Sequence, residues 1–288
     1  MSKNGLYASS DPSLSMAWSR CFLEALSRRG HELTPCLVSV TGFADGVVTE
    51  DKDVRAALDA CLDEAGHQLV EKVAKSIFPQ ALWRRANGDR YKLYKDYLTY
   101  LPDYVTMEPS KNGHGMYFAR LIAFGTDPRT GQRVKHLPAT AWSSDGNQIE
   151  FIIEHCQKGK RRAMLQAAVY DPVRDLTGAA QQGFPCLQHI TFVPDFTDGT
   201  LALNAFYATQ QLFVKAYGNW LGLCRLGEFV ASQTGLRFSQ LCCYTGIQKM
   251  DSAMRPKRGV LLDRLMALSR ACIETENVDS LVGAKGCP

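Results

Sequence analysis

FPCLQHITFVPDFTDGTLALNAFYATQQLFVKAYGNWLGL, residues 184–223, carries the pattern that decides the fold. Leu187 to Val193 and Thr200 to Tyr207 are short runs rich in β-branched and aromatic residues, and the PDFTDG segment between them is dense in turn formers, so the pair reads as a hairpin. A helix is expected from Gln210 to Thr234, with Leu212, Phe213, Ala216, Trp220, Leu223, Leu226 and Phe229 on one apolar face. A further strand, Ser239 to Tyr244, follows it.

Upstream the same alternation holds. Ser15 to Arg29 reads as a helix and Pro35 to Thr41 as a strand or strand end closed by Gly42. Between Asp53 and Phe78, Val54, Ala57, Leu58, Cys61, Leu62, Ala65, Leu69, Val73 and Ile77 recur at steps of three and four, the spacing of one long amphipathic helix that Pro79 should stop. Met116 to Phe124 is expected as a strand, Ile149 to Cys156 as a helix or helix end, and Ala163 to Tyr170 as a strand bounded by Pro172. The tail from Asp279, ending LVGAKGCP, reads as loose. The result is an α/β (α+β) chain of 288 residues, treated as one domain.

Composition excludes several classes. At 45% hydrophobic and 22% charged the chain is an ordinary globular one, and its +4 charge is scattered rather than gathered in blocks, so nucleic acid is not an expected partner. Tyr, Lys and Arg crowd the segment from Trp83 to Pro109. Interleaved tyrosines of this kind more often pack a helix against a sheet than bind nucleic acid. Met1 to Ser10 has no apolar core of a signal segment and no run reaches the eighteen apolar residues of a membrane span, which points to a soluble, cytoplasmic protein. Ten cysteines at irregular positions suggest neither a disulfide framework nor a metal site; no metal is expected and most are read as buried thiols.

One cysteine stands apart. Pro185 and Cys186 fall between the glycine-bearing TGAAQQG and the first strand of the hairpin, and a thiol at the mouth of a strand is placed to act as a nucleophile. Upstream, KGKRRAMLQAAVYDP puts the pair Arg161 and Arg162 at the head of an apolar run that ends in a proline. This order, Arg-Arg with a strand, Pro-Cys, a strand ending in a polar turn, and a helix bearing an Asn, resembles the thymidylate synthase family. The offsets match without gaps from Leu201 to Asn219. Met116-Tyr117 in GHGMYFARL and GNQIEFII around Gln148 extend the likeness over Gly115 to Tyr244.

The resemblance implies a large mixed β-sheet covered by helices, a homodimer formed through the sheet face, and a pyrimidine nucleotide or nucleoside as ligand. It implies one-carbon transfer to C5 of the ring through a Cys186 adduct at C6. Tyr117 would be a polar neighbour in the proton network. Asn219 would read the base edge, where an amide suits uracil. Tyr244 would hold the sugar, Thr209 would stand in for a phosphate-contacting Ser, and Arg161 and Arg162 would reach the partner's phosphate. Gln211 falls where the family has the Asp that binds the pterin of 5,10-methylenetetrahydrofolate. Glu71 is a candidate for the family's active-site Glu, with Lys75 an equally good register. Taken singly, each residue also has a plain structural reading: sheet tyrosines for Tyr117 and Tyr244, a capping amide for Asn219, a solvated helix end for the arginines.

Departures from the family pattern bear on function. Ala208 occupies the place of the phosphate-binding Arg that also keeps the thiol ionised, Leu187 that of a His, and Cys242 that of the sugar-binding His. The end of the chain lacks the apolar strand and terminal valine that close over the folate. Losing the Arg should raise the pKa of Cys186. Three readings follow: a diverged methyl- or hydroxymethyltransferase, a nucleotide-binding protein on the same scaffold with its chemistry lost, or an unrelated α/β protein with a chance cysteine.

Overall fold

The hairpin forms as its sequence indicates, and it lies inside a seven-stranded mixed sheet. The computed structural model describes residues 5–108, 112, 116–126, 146–159, 161–176, 178, 185–250 and 258–283. In chain order the elements are β1 (Tyr7–Asp11), α1 (Leu14–Ser27), β2 (Glu32–Leu33), β3 (Cys36–Val40), β4 (Phe43–Ala44), β5 (Val47–Val48), α2 (Lys52–Glu64), α3 (Val70–Lys75), α4 (Gln80–Ala86), α5 (Arg90–Met107), α6 (Tyr117–Ile122), α7 (Gln148–Gln157), β6 (Gln166–Ala168), α8 (Pro172–Asp175), β7 (Leu187–Asp195), β8 (Thr200–Gln211), α9 (Tyr217–Thr234), β9 (Arg237–Lys249) and α10 (Val260–Gly283).

The sheet runs β1-β3-β9-β8-β7-β6, with β2 also paired to β9. Pairs β1/β3 and β8/β9 are parallel, and the remaining neighbours are antiparallel. The expected α/β architecture, a large mixed sheet covered by helices, is therefore observed. Along β8 the buried Leu201, Leu203, Ala205 and Tyr207 alternate with the exposed Asn204 and Phe206, the signature of a sheet packed on one face. Leu241 and Cys243 on β9 and Ile190 and Phe192 on β7 complete that buried face, against which α9 lays Trp220, while Phe229 on its opposite side meets Phe78, Trp83 and Tyr94.

Several expectations are corrected. β8 persists to Gln211, because its ladder with β9 continues to the pair Gln211↔Lys249, and the helix proper begins only at Tyr217. Between them Leu212–Ala216 forms a π-helical turn whose Leu212 carbonyl accepts the Trp18 indole N–H at 3.1 Å. The single helix expected over Asp53 to Phe78 is two. Gly66 turns the chain at φ +68°, His67 N–H returns to Leu62 O, and Asp59 Oδ1 accepts the Val70 N–H to start α3. The apolar spacing runs on through the break, with α2 packing on α10 and α3 on α9. Pro79 lies beyond α3, as expected.

Met116 to Phe124 is not a strand but the short helix α6. Phe118, Ala119, Arg120, Leu121 and Ile122 are all buried there, and a short run buried all round gives no period by which to tell strand from helix. Of the strand expected over Ala163 to Tyr170 only Gln166–Ala168 forms, after a 3-10 turn at Arg162–Met164. The tyrosine-rich segment forms α4 and α5, with Lys92 and Lys95 exposed and Tyr94 and Tyr97 buried. Their rings meet Phe229 and Phe118, so the segment packs on helices α9 and α6 rather than on the sheet; Pro109 lies outside the described residues. The last helix runs to Gly283, past the start of the expected loose tail, and residues 284–288 lie outside the described residues.

Candidate functional site

Cys186 sits at the start of β7, where its carbonyl accepts the backbone N–H of Ala208 at 3.1 Å. That bond sets the cysteine beside the last third of β8. Among the described cysteines Cys186 is the exposed one, Cys242 is intermediate and the others are buried, in line with the reading that most are core thiols. Enough protein surrounds the sulfur that desolvation still raises its pKa above the ordinary thiol value; Lys215 and then Lys249 pull the other way, and burial prevails.

Two tyrosines share this corner. The Tyr117 hydroxyl, at the start of α6, is pushed up by burial and by the charge of Cys186, and drawn back by the backbone amides of Leu187 and Cys186. Tyr207, opposite Leu187 in the ladder, has no exposed surface, and its hydroxyl has no hydrogen-bond partner among the described residues. Burial raises its pKa, followed by the charges of Tyr117, Cys243 and Cys186, which places it in the same group. Sequence reasoning brought Tyr117 to Cys186; it missed Tyr207, Lys215 and Lys249. Period-two alternation indicates that Tyr207 faces inward, but no local pattern could show what it faces. Lys215 reads as an ordinary helix residue until the π turn displaces it.

The other candidates lie as follows. Asn219 is in the first turn of α9 and only 4% exposed. Thr209 is half-buried on β8 and paired with Ile247, and Gln211 is paired with Lys249. Tyr244 is on β9, paired with Phe206 of β8. It alternates with the buried Cys243 and Thr245, so its ring projects from the opposite side of β9, where it stacks on Phe206 at 5.4 Å. Arg161 and Arg162 are exposed, and Arg162 acts on Asp195 at the far end of β7. At about 3.4 Å per residue that end lies roughly 30 Å from Cys186, so within one chain the pair does not reach the sulfur. Glu71 is tied to Arg225 by contacts of 2.7 and 2.9 Å and to Arg55 at 3.6 Å, and Arg225 lowers its pKa. Lys75 lies over the Tyr104 ring.

A separate cleft of about 480 Å³ opens at the start of β9, lined by Trp83, Arg225, Glu228, Phe229, Arg237 and Phe238. Burial pushes the Glu228 carboxyl up to about 7, while the Val48 amide and Arg225 oppose the rise. No cysteine lines this cleft among the described residues. The Cys186 corner, at the other end of the same strand, groups a thiol, two phenols and two amines.

Over 98 residues the chain is 31% identical to a protein of Methanopyrus kandleri named "Putative thymidylate synthase", a match covering 34% of this chain and 45% of that protein. The chain thus spans less than half the length of that relative. No protein-family model matches. The similarity suggests a thymidylate synthase-like relationship. No described helix is long and apolar enough to cross a membrane.

Proposed function

We propose that the chain is a diverged thymidylate synthase-like enzyme that transfers a one-carbon unit, methyl or hydroxymethyl, to C5 of a pyrimidine nucleotide or nucleoside. The observation that carries this reading is the exposed residue Cys186 grouped with Tyr117 and with the fully buried Tyr207, whose hydroxyl has no partner among the described residues. The thiolate lone pair forms an S–C6 bond while the C5=C6 π pair moves onto C5 and O4. C5 then bonds to an activated carbon at the formaldehyde oxidation level. Loss of the C5 proton to a base expels the carrier of the one-carbon unit and leaves an exocyclic methylene on C5, with the thioether still at C6. Addition of water to that methylene gives hydroxymethyl and addition of hydride from a further donor gives methyl; either addition returns the electron pair to the ring as C5=C6 and expels the thiolate. Tyr117 and Tyr207 are the groups that can hold or pass protons at the thiol and at O4.

Asn219 reads the base edge in this proposal, with Thr209 at the phosphate side. The protein acts as a homodimer, so that Arg161 and Arg162 serve the partner's site; the exposed Phe206–Tyr244 stack on the open side of β8 and β9 supports such a face. A folate fits these residues poorly. Gln211 offers an amide in place of a carboxylate, and α10, the last described element, packs on α1 and α2 instead of closing over Cys186. No step is therefore routed through it.

The raised thiol pKa and Ala208 favour a second reading, a nucleotide-binding protein that has lost the chemistry. Intact-mass measurement after incubation with 5-fluoropyrimidine nucleotides, with and without 5,10-methylenetetrahydrofolate, separates the two. A mass increase on Cys186, absent from Cys186→Ser, is expected of the enzyme. Binding of deoxyuridine, cytidine or uridine forms with no adduct leaves the binding protein.

A further inference from the structure

The cleft at the start of β9 combines fixed aromatic walls with charged groups left unpaired among the described residues. Its volume of about 480 Å³ falls inside the range of small-molecule pockets, roughly 300–1,000 Å³. Phe229 and Phe238 are buried behind it, and the half-buried Trp83 of α4 meets Phe229 edge to face at 4.9 Å. One wall is the β4–β5 hairpin, whose tip Asp45-Gly46 takes φ of +52° and +83°, the left-handed pair of a tight two-residue turn. Two contacts pin that wall. Glu228 Oε1 accepts the Val48 N–H at 2.9 Å, and Phe43 lies edge to face on Phe238 at 4.8 Å.

Glu228 is half-buried, spends one oxygen on Val48, and has no ion pair among the described residues. Arg225, three residues earlier on α9, is the nearest cation in the chain, but both of its Nη atoms are held by Glu71 at 2.7 and 2.9 Å. The exposed Arg237 guanidinium and the Trp83 indole N–H also have no partner among the described residues. The other charges around Glu228 are Asp45 at the hairpin tip and Glu50 just beyond β5, the latter held by Arg55 and by the Tyr217 hydroxyl at 3.0 Å each. Cys224 adds none, because burial and then the charge of Glu228 keep it a neutral thiol; α4 brings only Trp83 and Gln80 to the lining. The cleft thus holds opposite charges apart. A ligand that is only anionic meets Glu228 and Asp45, and one that is only cationic meets Arg225 and Arg237.

We infer that this cleft is a second binding site whose ligand is a small aromatic zwitterion, with its ring against Trp83 and Phe238, its ammonium group on Glu228 and its carboxylate on Arg237. The site lies at the opposite end of β9 from Cys186, so the inference does not depend on the one-carbon reading. The ligand's ammonium supplies the cation that Arg225 gives to Glu71 instead, and it favours the ionised carboxylate. Since burial lifts that carboxyl to about 7, affinity rises with pH until Glu228 is fully ionised.

Isothermal titration calorimetry on the intact protein tests this with two zwitterions, L-phenylalanine, whose charges share one carbon, and 4-(aminomethyl)benzoic acid, whose charges lie at opposite ends of the ring. The single-charge compounds 2-phenylethylamine, benzylamine, 3-phenylpropionate and benzoate are the comparison. At least one zwitterion is expected to bind about tenfold or more tighter than its single-charge parents, with affinity rising about tenfold from pH 6 to pH 8. Glu228→Gln, which keeps an acceptor for the Val48 N–H, is expected to weaken binding at pH 8 by about tenfold and to abolish the pH dependence. Arg237→Gln, at an exposed position, is expected to weaken binding by about tenfold and to keep the pH dependence. Melting temperatures show whether each variant is folded, and the comparison of ligands on the unaltered protein is read in either case. Failure of both zwitterions to bind, or binding no tighter than that of the single-charge parents, overturns the inference. A pH dependence that persists in folded Glu228→Gln overturns it as well.

Discussion

Arg120 and Asp175 meet in a buried bidentate pair, Nη1 to Oδ2 at 2.5 Å and Nη2 to Oδ1 at 2.7 Å, with the two residues only 5% and 2% exposed. Nη1 also donates to Val169 O, and the Gln148 side chain bridges Arg120 O to the backbone of Ala168. This network clamps α6 to β6 and α8. Tyr117, one turn before Arg120, takes its position beside Cys186 from that clamp. Arg120→Met should therefore lower stability by about 3–5 kcal/mol, the cost of leaving a buried carboxylate unpaired. Urea unfolding measures it, and the double change Arg120→Met with Asp175→Leu should recover part of the loss.

Glu228 gives the protein a pH dependence near neutrality. Its carboxyl rises from an ordinary 4.5 to about 7 in the fold, so the folded state favours the protonated form. Its contribution is complete below the unfolded value and is lost as pH rises through about 7. Between pH 5 and pH 8 the unaltered protein should lose about 2–3 kcal/mol relative to Glu228→Gln. Parallel denaturation curves for the two proteins at both pH values would contradict the assignment.

Gly218 lets α9 cross α3 at close range. A Cβ there would stand 2.6 Å from Val73 Cβ and 2.8 Å from Val70 O, and the carbonyl cannot rotate away. Gly218→Ala should cost roughly 1–3 kcal/mol, read as a fall in melting temperature. It should also weaken ligand binding, because the displaced helix carries Asn219.

Ala208→Arg would return a cation to the strand beside Cys186. Its expected effect is a lower thiol pKa and iodoacetamide labelling at pH 7 faster by about threefold to tenfold. No change in rate would mean that the side chain at 208 does not reach the sulfur.

Much of the fold was legible because period and punctuation agree along most of the chain. The hairpin, α1, β3, α7 and the end of α9 at Thr234 with Gly235 as its left-handed cap all follow from local pattern. Failures came where packing overrode pattern. Phe118 to Ile122 is buried on all sides and so reads equally as strand or helix, while the break at Gly66 is hidden because the apolar spacing runs on through it.

For the site, Cys186 and Tyr117 were paired only by the resemblance to thymidylate synthases, since no local pattern links a strand start to a helix start about seventy residues before it. Tyr244 could not be placed, since a strand position gives a face only once the neighbouring buried residues are known. Here Cys243 and Thr245 take the inner side. The arginine pair and Cys186 lie at opposite ends of β7, a separation that strand length shows only after the pairing is known.

By itself the sequence determined that the chain alternates strands and helices, that residues 187–207 turn back on themselves, and that one thiol opens a strand. These are consequences of local periodicity and turn chemistry, which act within a few residues. Only the tertiary structure decided that β9 runs parallel to β8, that the Leu212–Ala216 turn widens to π geometry under the Trp18 indole, and that Lys215, Lys249, Tyr207 and Cys186 share one corner. Those facts depend on which distant surfaces bury one another, and long-range packing of that kind leaves no periodic trace in the chain.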